Sequence, residues 1–217
     1  MIKVLNLYSG IGGNRKLWEN VEVTAIENNP EIAKIYQDFF PNDKIIITDA
    51  HKYLLKHYKE YDFIWSSPPC PSHSRTNNYL NAQGIIRYPD MQLWQEIIFL
   101  KHFFKGKWVV ENVISYYEPL IKPFECGRHY FWSNFVINKE QAMKCDFNLS
   151  NARTSTRLDS AKSMKSLEEF HGISLANYKT NSTQKRTILR NCVYPPLGKY
   201  VFDCAFKTKQ TKLMELV

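Results

Sequence analysis

No stretch of the sequence stays uncharged and apolar for the roughly 18 residues that a membrane-spanning helix needs, and no two cysteines stand at CxxC spacing. The first absence removes a bilayer span from the reading. The second, with five cysteines scattered as Cys70, Cys126, Cys145, Cys192 and Cys204, argues against a disulfide framework and a four-cysteine zinc site. Cys126 and His129 form a lone CxxH, which is more often packing than ligation, so no metal is expected. The stretch MIKVLNLYSGIGG lacks the long apolar core and small-residue cleavage site of a secretory signal. It reads as a first strand, and the protein is expected inside the cell, in the cytoplasm. There is no internal repeat and no linker long enough to separate two full domains. At 217 residues the chain suits one main domain and is expected to be a monomer.

What is present begins with charge. The 29 basic residues outweigh 21 acidic ones to give a formal charge of +8, which favours a polyanionic partner. Hydrophobic residues at 44% and aromatics at 14% are a globular composition. In the first half, short β-rich runs at 3–8, 21–27, 44–48, 61–66 and 107–112 alternate with helical patterns at 14–19, 30–40, 50–58 and 90–104. That alternation predicts an α/β fold with a mostly parallel sheet covered by helices. A hairpin is expected in HYFWSNFVIN, turning at Ser133-Asn134. The chain from 139 to 186 is polar and reads as loop-rich with a short helix near 163–171. Helical character returns over 183–207, interrupted by Pro195-Pro196.

The chemistry collects at strand ends. Ser9-Gly10-Ile11-Gly12-Gly13, Glu27, Asp49, Pro68-Pro69-Cys70 and Glu111-Asn112 each close a successive predicted strand. In a parallel sheet such residues converge on the crevice beyond the carboxyl ends of the strands. The loop SGIGGNR allows close backbone approach, but Arg15 stands where GxGxxG would have its third glycine, which disfavours a dinucleotide. Glu27 is placed to hold a ribose hydroxyl pair, and Asp49 an adenine amino group. Carboxylates there would repel a pyrophosphate, so a nucleoside cofactor without phosphates, S-adenosyl-L-methionine, is the candidate. Cys70 sits in a stiff proline loop that can hold a nucleophile, or else is a small buried hydrophobe. His73 and Arg75 are the cations nearest in sequence to favour its thiolate. Glu111, among apolar neighbours, is suited to donating a proton to a ring nitrogen, or else caps the next turn.

Together these residues resemble the DNA cytosine-5 methyltransferase family. LYSGIGG is similar to its cofactor loop, AIENNP to its ribose-binding turn, TDA to its adenine-contacting acid, SSPPCPSHS to its nucleophile loop, WVVENV to its ENV motif and LRNCVYPPLGKYV to its late segment. The resemblance implies a Rossmann-like S-adenosylmethionine-dependent methyltransferase fold with a small loop-rich recognition segment. Cys70, Glu111 and Arg128 would be catalytic. Tyr8, Ser9, Gly10, Gly12, Gly13, Glu27, Asn28, Asp49, Ala50, Pro68, Asn191 and Val193 would bind cofactor. Ser72, Ser74, Arg75, Arg87, Arg153, Arg157, Lys185 and Arg186 would face double-stranded DNA. The chain departs from the family at Tyr8, usually Phe, at Pro71-Ser72-His73-Ser74, at the arginine motif, where only Arg128 matches, and at Arg190, usually Gly.

The expected division is a catalytic core over 1–137, a target-recognition segment over 138–186 and a return to the core over 187–217. The middle segment carries nine basic residues against five acidic ones and predicts a short or relaxed target sequence. The segment HSRTNNYLNAQGIIRYPD is expected to close over the base, with Gly84 permitting the motion. Nucleoid, phage or mobile-element DNA is a compatible location. Two alternatives stay open: the same chemistry on transfer RNA, which some relatives with these motifs methylate, and an inactive nucleic-acid-binding homologue.

Overall fold

The structure, a computed structural model, describes residues 1–146 and 160–207. Seven strands form one sheet in the order β3-β2-β1-β4-β5-β7-β6. β1 (Ile2–Leu7), β2 (Val21–Glu27), β3 (Lys44–Ile47), β4 (Phe63–Ser66) and β5 (Lys107–Val113) run parallel. β7 (His129–Ser133) lies antiparallel to β5, and β6 (Phe124–Cys126) antiparallel to β7. The chain moves one way from β1 to β2 and β3, then crosses β1 to lay down β4 and β5. That reversal separates the loops beyond β1 and β4 and leaves a crevice between them.

The central strands are apolar almost throughout because both their faces are covered. Alternate side chains Val4, Phe63, Trp65, Val109 and Phe131 pack on one face with Trp18 and with Leu197, Val201 and Phe202 of α8 (Pro195–Phe206). Leu5, Leu7, Ile64 and Val110 pack on the other with Leu54 of α2 (Ala50–His57) and Leu93, Ile97 and Leu100 of α4 (Gln92–Phe103). The period of two thus builds the mostly parallel sheet with helices on both faces that the sequence predicts. α1 (Pro30–Phe39) starts where Asn29 accepts from the amides of Glu31 and Ile32 behind a proline at its first turn. A third cluster of Ile11, Ile35, Ile173, Leu175, Leu189 and Cys192 joins α1 to α6 (Ser160–His171) and α7 (Ser182–Arg190).

Several expectations need correction. Residues 14–19 form no helix: each of the amides of Gly12, Arg15 and Trp18 bonds the carbonyl three residues back, giving linked turns. Trp18 is drawn under the sheet against Phe202, and Arg15 binds Asp43 at 2.8 Å, contacts that an exposed helix would not make. The hairpin turns at Gly127-Arg128, where Gly127 takes a φ of 58°, while Ser133 is still paired as the last residue of β7 and only Asn134 follows the strand. Pro195-Pro196 open α8, where the missing amide hydrogens cost nothing, and do not interrupt it. α5 (Lys139–Asp146) stands where a loop was expected, and α3 (Thr76–Ala82) lies in the segment expected to close over the base, for which no helix was foreseen.

Candidate active site

A cavity of about 670 Å³ opens at the crevice beyond β1 and β4, and both halves of the predicted site line it. On one side the loop after β1 turns through left-handed backbone at Tyr8, Gly10 and Gly12, with φ of 54°, 53° and 79°. Glycine tolerates this; for a tyrosine it costs on the order of 1 kcal/mol and needs support. The Tyr8 hydroxyl donates to Glu96 Oε1 at 2.6 Å, Ser66 Oγ donates to Glu96 Oε2 at 2.6 Å, and His51 Nδ1 lies 3.0 Å from Oε1. Glu96 is fully buried, so three partners hold one carboxylate beneath the loop. Burial, then the charge of Glu96, pushes the Tyr8 phenol up, and the bond to Glu96 raises the His51 imidazole despite burial.

Glu27 closes β2 with each carboxylate oxygen on a backbone amide: Gly10 N donates to Oε2 at 3.0 Å and Asn29 N to Oε1 at 2.9 Å. Its orientation is therefore fixed before any ligand arrives. Ser9 Oγ is buried without a partner among the described residues, and nothing lies within 4 Å of where a side chain on Gly10 would start. An orphaned hydroxyl, an anchored carboxylate and free space beside a glycine fit a nucleoside with hydroxyl and amine groups. A Cβ on Gly13 would come within 2.7 Å of the Val193 carbonyl, so only glycine lets this loop meet the α7–α8 connection that brings Asn191 and Val193 to the cavity. Asn28 and Pro68 also line it. Gly12, Asp49 and Ala50 do not. Gly12 abuts the rings of Tyr36 and Phe40, Asp49 caps α2 through the amide of Lys52 at 2.8 Å, and Ala50 is buried beside Leu54.

On the other side lies the proline loop. Asn112 Nδ2 donates to the Pro68 carbonyl at 2.9 Å, and the amides of His73 and Ser74 donate to the Cys70 carbonyl at 3.0 and 3.1 Å. The half-buried Cys70 thus leaves β4 on a course tied to β5. Burial pushes its thiol up and Glu111 adds to the rise; Arg128 opposes it. His73 and Arg75 are not the helpers expected. His73 is buried against the Tyr117 hydroxyl and its pKa is lowered by burial, so it stays neutral, while Arg75 is exposed at the cavity rim.

Glu111, Arg128 and His129, which the sequence offered only as half of a CxxH pair read as packing, form a chain. His129 Nδ1 lies 2.6 Å from Glu111 Oε1, Arg128 Nε donates to His129 Nε2 at 3.3 Å, and Arg128 Nη2 donates to the Arg190 carbonyl at 2.7 Å. Because that last contact uses backbone, arginine in place of the usual glycine leaves it intact. Of the predicted nucleic-acid contacts, Ser74 and Arg75 line the cavity. Ser72 Oγ instead accepts from the Asp90 amide at 3.2 Å. Arg87, Lys185 and Arg186 lie off the lining; Arg87 is exposed, and the other two sit on α7 just before Thr187 and Ile188, which line it. Arg153 and Arg157 lie outside the described residues. Asn14, Arg190 and Cys192 line the cavity unforeseen. Among the described residues no group of three or more His, Cys, Asp or Glu could hold a metal ion, and no helix is long and apolar enough to cross a membrane.

Comparison with known proteins follows the same lines. No curated protein sequence matches the chain at a significant level. The methyltransferase EhMeth of Entamoeba histolytica superposes with a TM-score of 0.58 at 13% identity, over 95% of this chain and 98% of that one. A DNMT2 variant of Spodoptera frugiperda gives 0.60 at 13% identity, over 95% and 100%. At that identity the likeness carries the fold alone, the methyltransferase sheet with its helices. The family model for C-5 cytosine-specific DNA methylases matches residues 2–116, which take in the loop after β1, Glu27, Cys70 and Glu111. With more than half of its length matched, the chain belongs to the C-5 cytosine-specific DNA methylase family.

Proposed function

We propose that this methyltransferase acts on carbon 5 of cytosine in double-stranded DNA, through a covalent bond between Cys70 and a base turned out of the helix. The observation that carries the reading is the convergence of Cys70, Glu111 and Arg128 with Ser9 and Glu27 on one cavity. Carbon 5 of cytosine is too weak a nucleophile to take a methyl group unaided. Addition of the Cys70 thiolate to carbon 6, with a proton passed from Glu111 to ring nitrogen 3, breaks the 5,6 double bond and makes carbon 5 enamine-like. When bound, S-adenosyl-L-methionine supplies the methyl group that carbon 5 takes. Ser9 and Glu27 would hold its polar groups, Arg128 offers its charge to the base, and loss of the carbon 5 proton to solvent water then expels the Cys70 sulfur as thiolate and returns the nitrogen 3 proton to Glu111. Stacking covers both faces of a paired cytosine, so the base must leave the duplex, at a few kcal/mol that contacts to the backbone offset. The surplus of positive charge suits those contacts, and Arg75 at the rim is the nearest to the cavity.

The test is trapping. DNA carrying 5-fluorocytosine cannot lose its carbon 5 substituent as a proton, so wild-type protein with cofactor should form an adduct that survives denaturing electrophoresis. Cys70→Ser should abolish the adduct and cut methyl incorporation by roughly 10³-fold or more. Incorporation into folded transfer RNA but not duplex DNA would move the substrate, and cofactor binding with no transfer to either would overturn the reading.

A further inference from the structure

The chain from Glu111 through His129 to Arg128 has a hydrogen-bond polarity that only one protonation pattern satisfies. Arginine is never deprotonated in proteins, so its Nε always carries hydrogen and donates to His129 Nε2 at 3.3 Å. Nε2 must then hold a lone pair, which places the imidazole hydrogen on Nδ1, 2.6 Å from Glu111 Oε1. The opposite tautomer or a charged ring would set two N–H groups against each other. Both side chains are nearly buried, with relative exposures of 5% for His129 and 9% for Glu111. They meet because Glu111 pairs with Phe131 and Val113 with His129, so the two project from one face of the β5–β7 ladder as diagonal neighbours.

We propose that His129 is a positioning residue: its Nδ1–H occupies Glu111 Oε1 as an acceptor and so directs the proton of Glu111 onto Oε2, the oxygen that meets ring nitrogen 3 of cytosine. No described protein group bonds Oε2. When the proton leaves Oε2 for nitrogen 3, Glu111 becomes a carboxylate and the Nδ1–H bond becomes charge-assisted, so His129 stabilises the state reached during addition more than the state before it. The proton returns to Oε2 as the Cys70 sulfur departs, and His129 ends each cycle as it began. Without this partner Oε1 and Oε2 would compete for the proton, and the carboxyl could rotate.

This inference rests on Glu111 being the proton donor to the base, but its first test needs no turnover. In ¹⁵N-histidine-labelled protein, the ring resonances absent from His129→Asn identify His129 among six histidines. At neutral pH they should show a neutral ring with hydrogen on Nδ1; hydrogen on Nε2 or a doubly protonated ring would overturn the assignment even if the protein proved inactive. The second test is single-turnover methylation. His129→Leu should lower the rate by about 100-fold with cofactor and DNA affinities within about twofold, whereas His129→Asn, whose amide can donate from nearly the same place, should recover to within about tenfold of wild type. Equal rates for Leu and wild type, or equal losses for Leu and Asn, would overturn the proposal. Failure of wild type itself in the trapping experiment would instead overturn the function proposed for Cys70 and Glu111, leaving the ring assignment to stand or fall on the resonances.

Discussion

Burial and the neighbouring Glu111 hold the Cys70 proton on, while addition to carbon 6 calls for the thiolate. The two charges are coupled. A negative Glu111 discourages thiolate formation, and a Glu111 that carries a proton does not, so the state ready to protonate the base is also the state that frees the sulfur. With the cavity empty and Glu111 ionised, Cys70 should therefore be a slow thiol, spared from oxidation and alkylation between substrates, and Glu111 takes up its proton only as the cytosine enters. Glu111→Gln removes the charge but keeps an oxygen for the His129 N–H. It should speed iodoacetamide labelling of Cys70 by about three- to tenfold at pH 7.5, since one pK unit is worth tenfold in thiolate. Arg128→Ala should slow it, because Arg128 is the cation that lowers the thiol. Labelling followed by mass spectrometry measures both, and no acceleration in Glu111→Gln would remove the proposed coupling.

α8 reaches the site without lining the cavity with its own residues. Its Gly198 lies so close to the first loop that a Cβ would stand 2.6 Å from the Asn14 carbonyl oxygen and 2.7 Å from its Cα, and the Gly198 carbonyl accepts from Trp18 Nε1 at 3.2 Å. Asn14 in turn holds Asn6 of β1 by an amide pair at 2.8 Å. Gly198→Ala should cost about 1–3 kcal/mol in urea unfolding through overpacking and weaken binding of S-adenosylhomocysteine, measured by calorimetry, because the loop must move away from Ser9 and Gly10. Unchanged affinity would show that this packing does not set the loop. How much of this was legible divides by element. The central strands were readable because a strand buried on both faces writes an apolar run, and the site residues were readable because such strands end in polar loops. The hairpin was misread because Ser133-Asn134 and Gly127-Arg128 are both plausible turn pairs locally, and only pairing of β7 with β5 selects between them. That same pairing hid His129, whose role exists only once Glu111 lies across the ladder from it. The helix at α3 escaped for a related reason: Asn77, buried and donating to the Pro71 carbonyl at 2.8 Å, is fixed by contacts that local propensity does not contain.

At the scale of the whole molecule, the polar second half is joined to the sheet through a patch that concentrates cations. Lys16 donates to the carbonyls of His171 and Gly172 at the end of α6, with Ile173, Leu175 and Leu189 packed on Ile11 and Ile35 beside it. His171 is buried there and its Nδ1 has no partner among the described residues. Burial foremost, then the charges of Arg128 and Lys16, lower its pKa from 6.5 to about 4, although a bond with the Leu189 backbone offsets some of the fall. The folded protein therefore binds fewer protons at this site than the unfolded chain does between those two values. Its contribution to stability is present in full above pH 6.5 and drains away as the pH falls towards 4, by about 3 kcal/mol across the window. His171→Leu keeps an apolar side chain in the space and removes the titration. Urea unfolding of wild type and variant should give curves that diverge on acidification by about that amount, with the variant the less acid-sensitive. Protection of the α7 amides against hydrogen exchange, taken relative to their intrinsic exchange at each pH, should fall first in the wild type as the pH drops, because the charge would appear where α6 and α7 meet the sheet. Parallel curves for the two proteins from pH 7 to pH 4 would mean that His171 keeps its proton equilibrium on unfolding, and that the join between the two halves owes nothing to its neutrality.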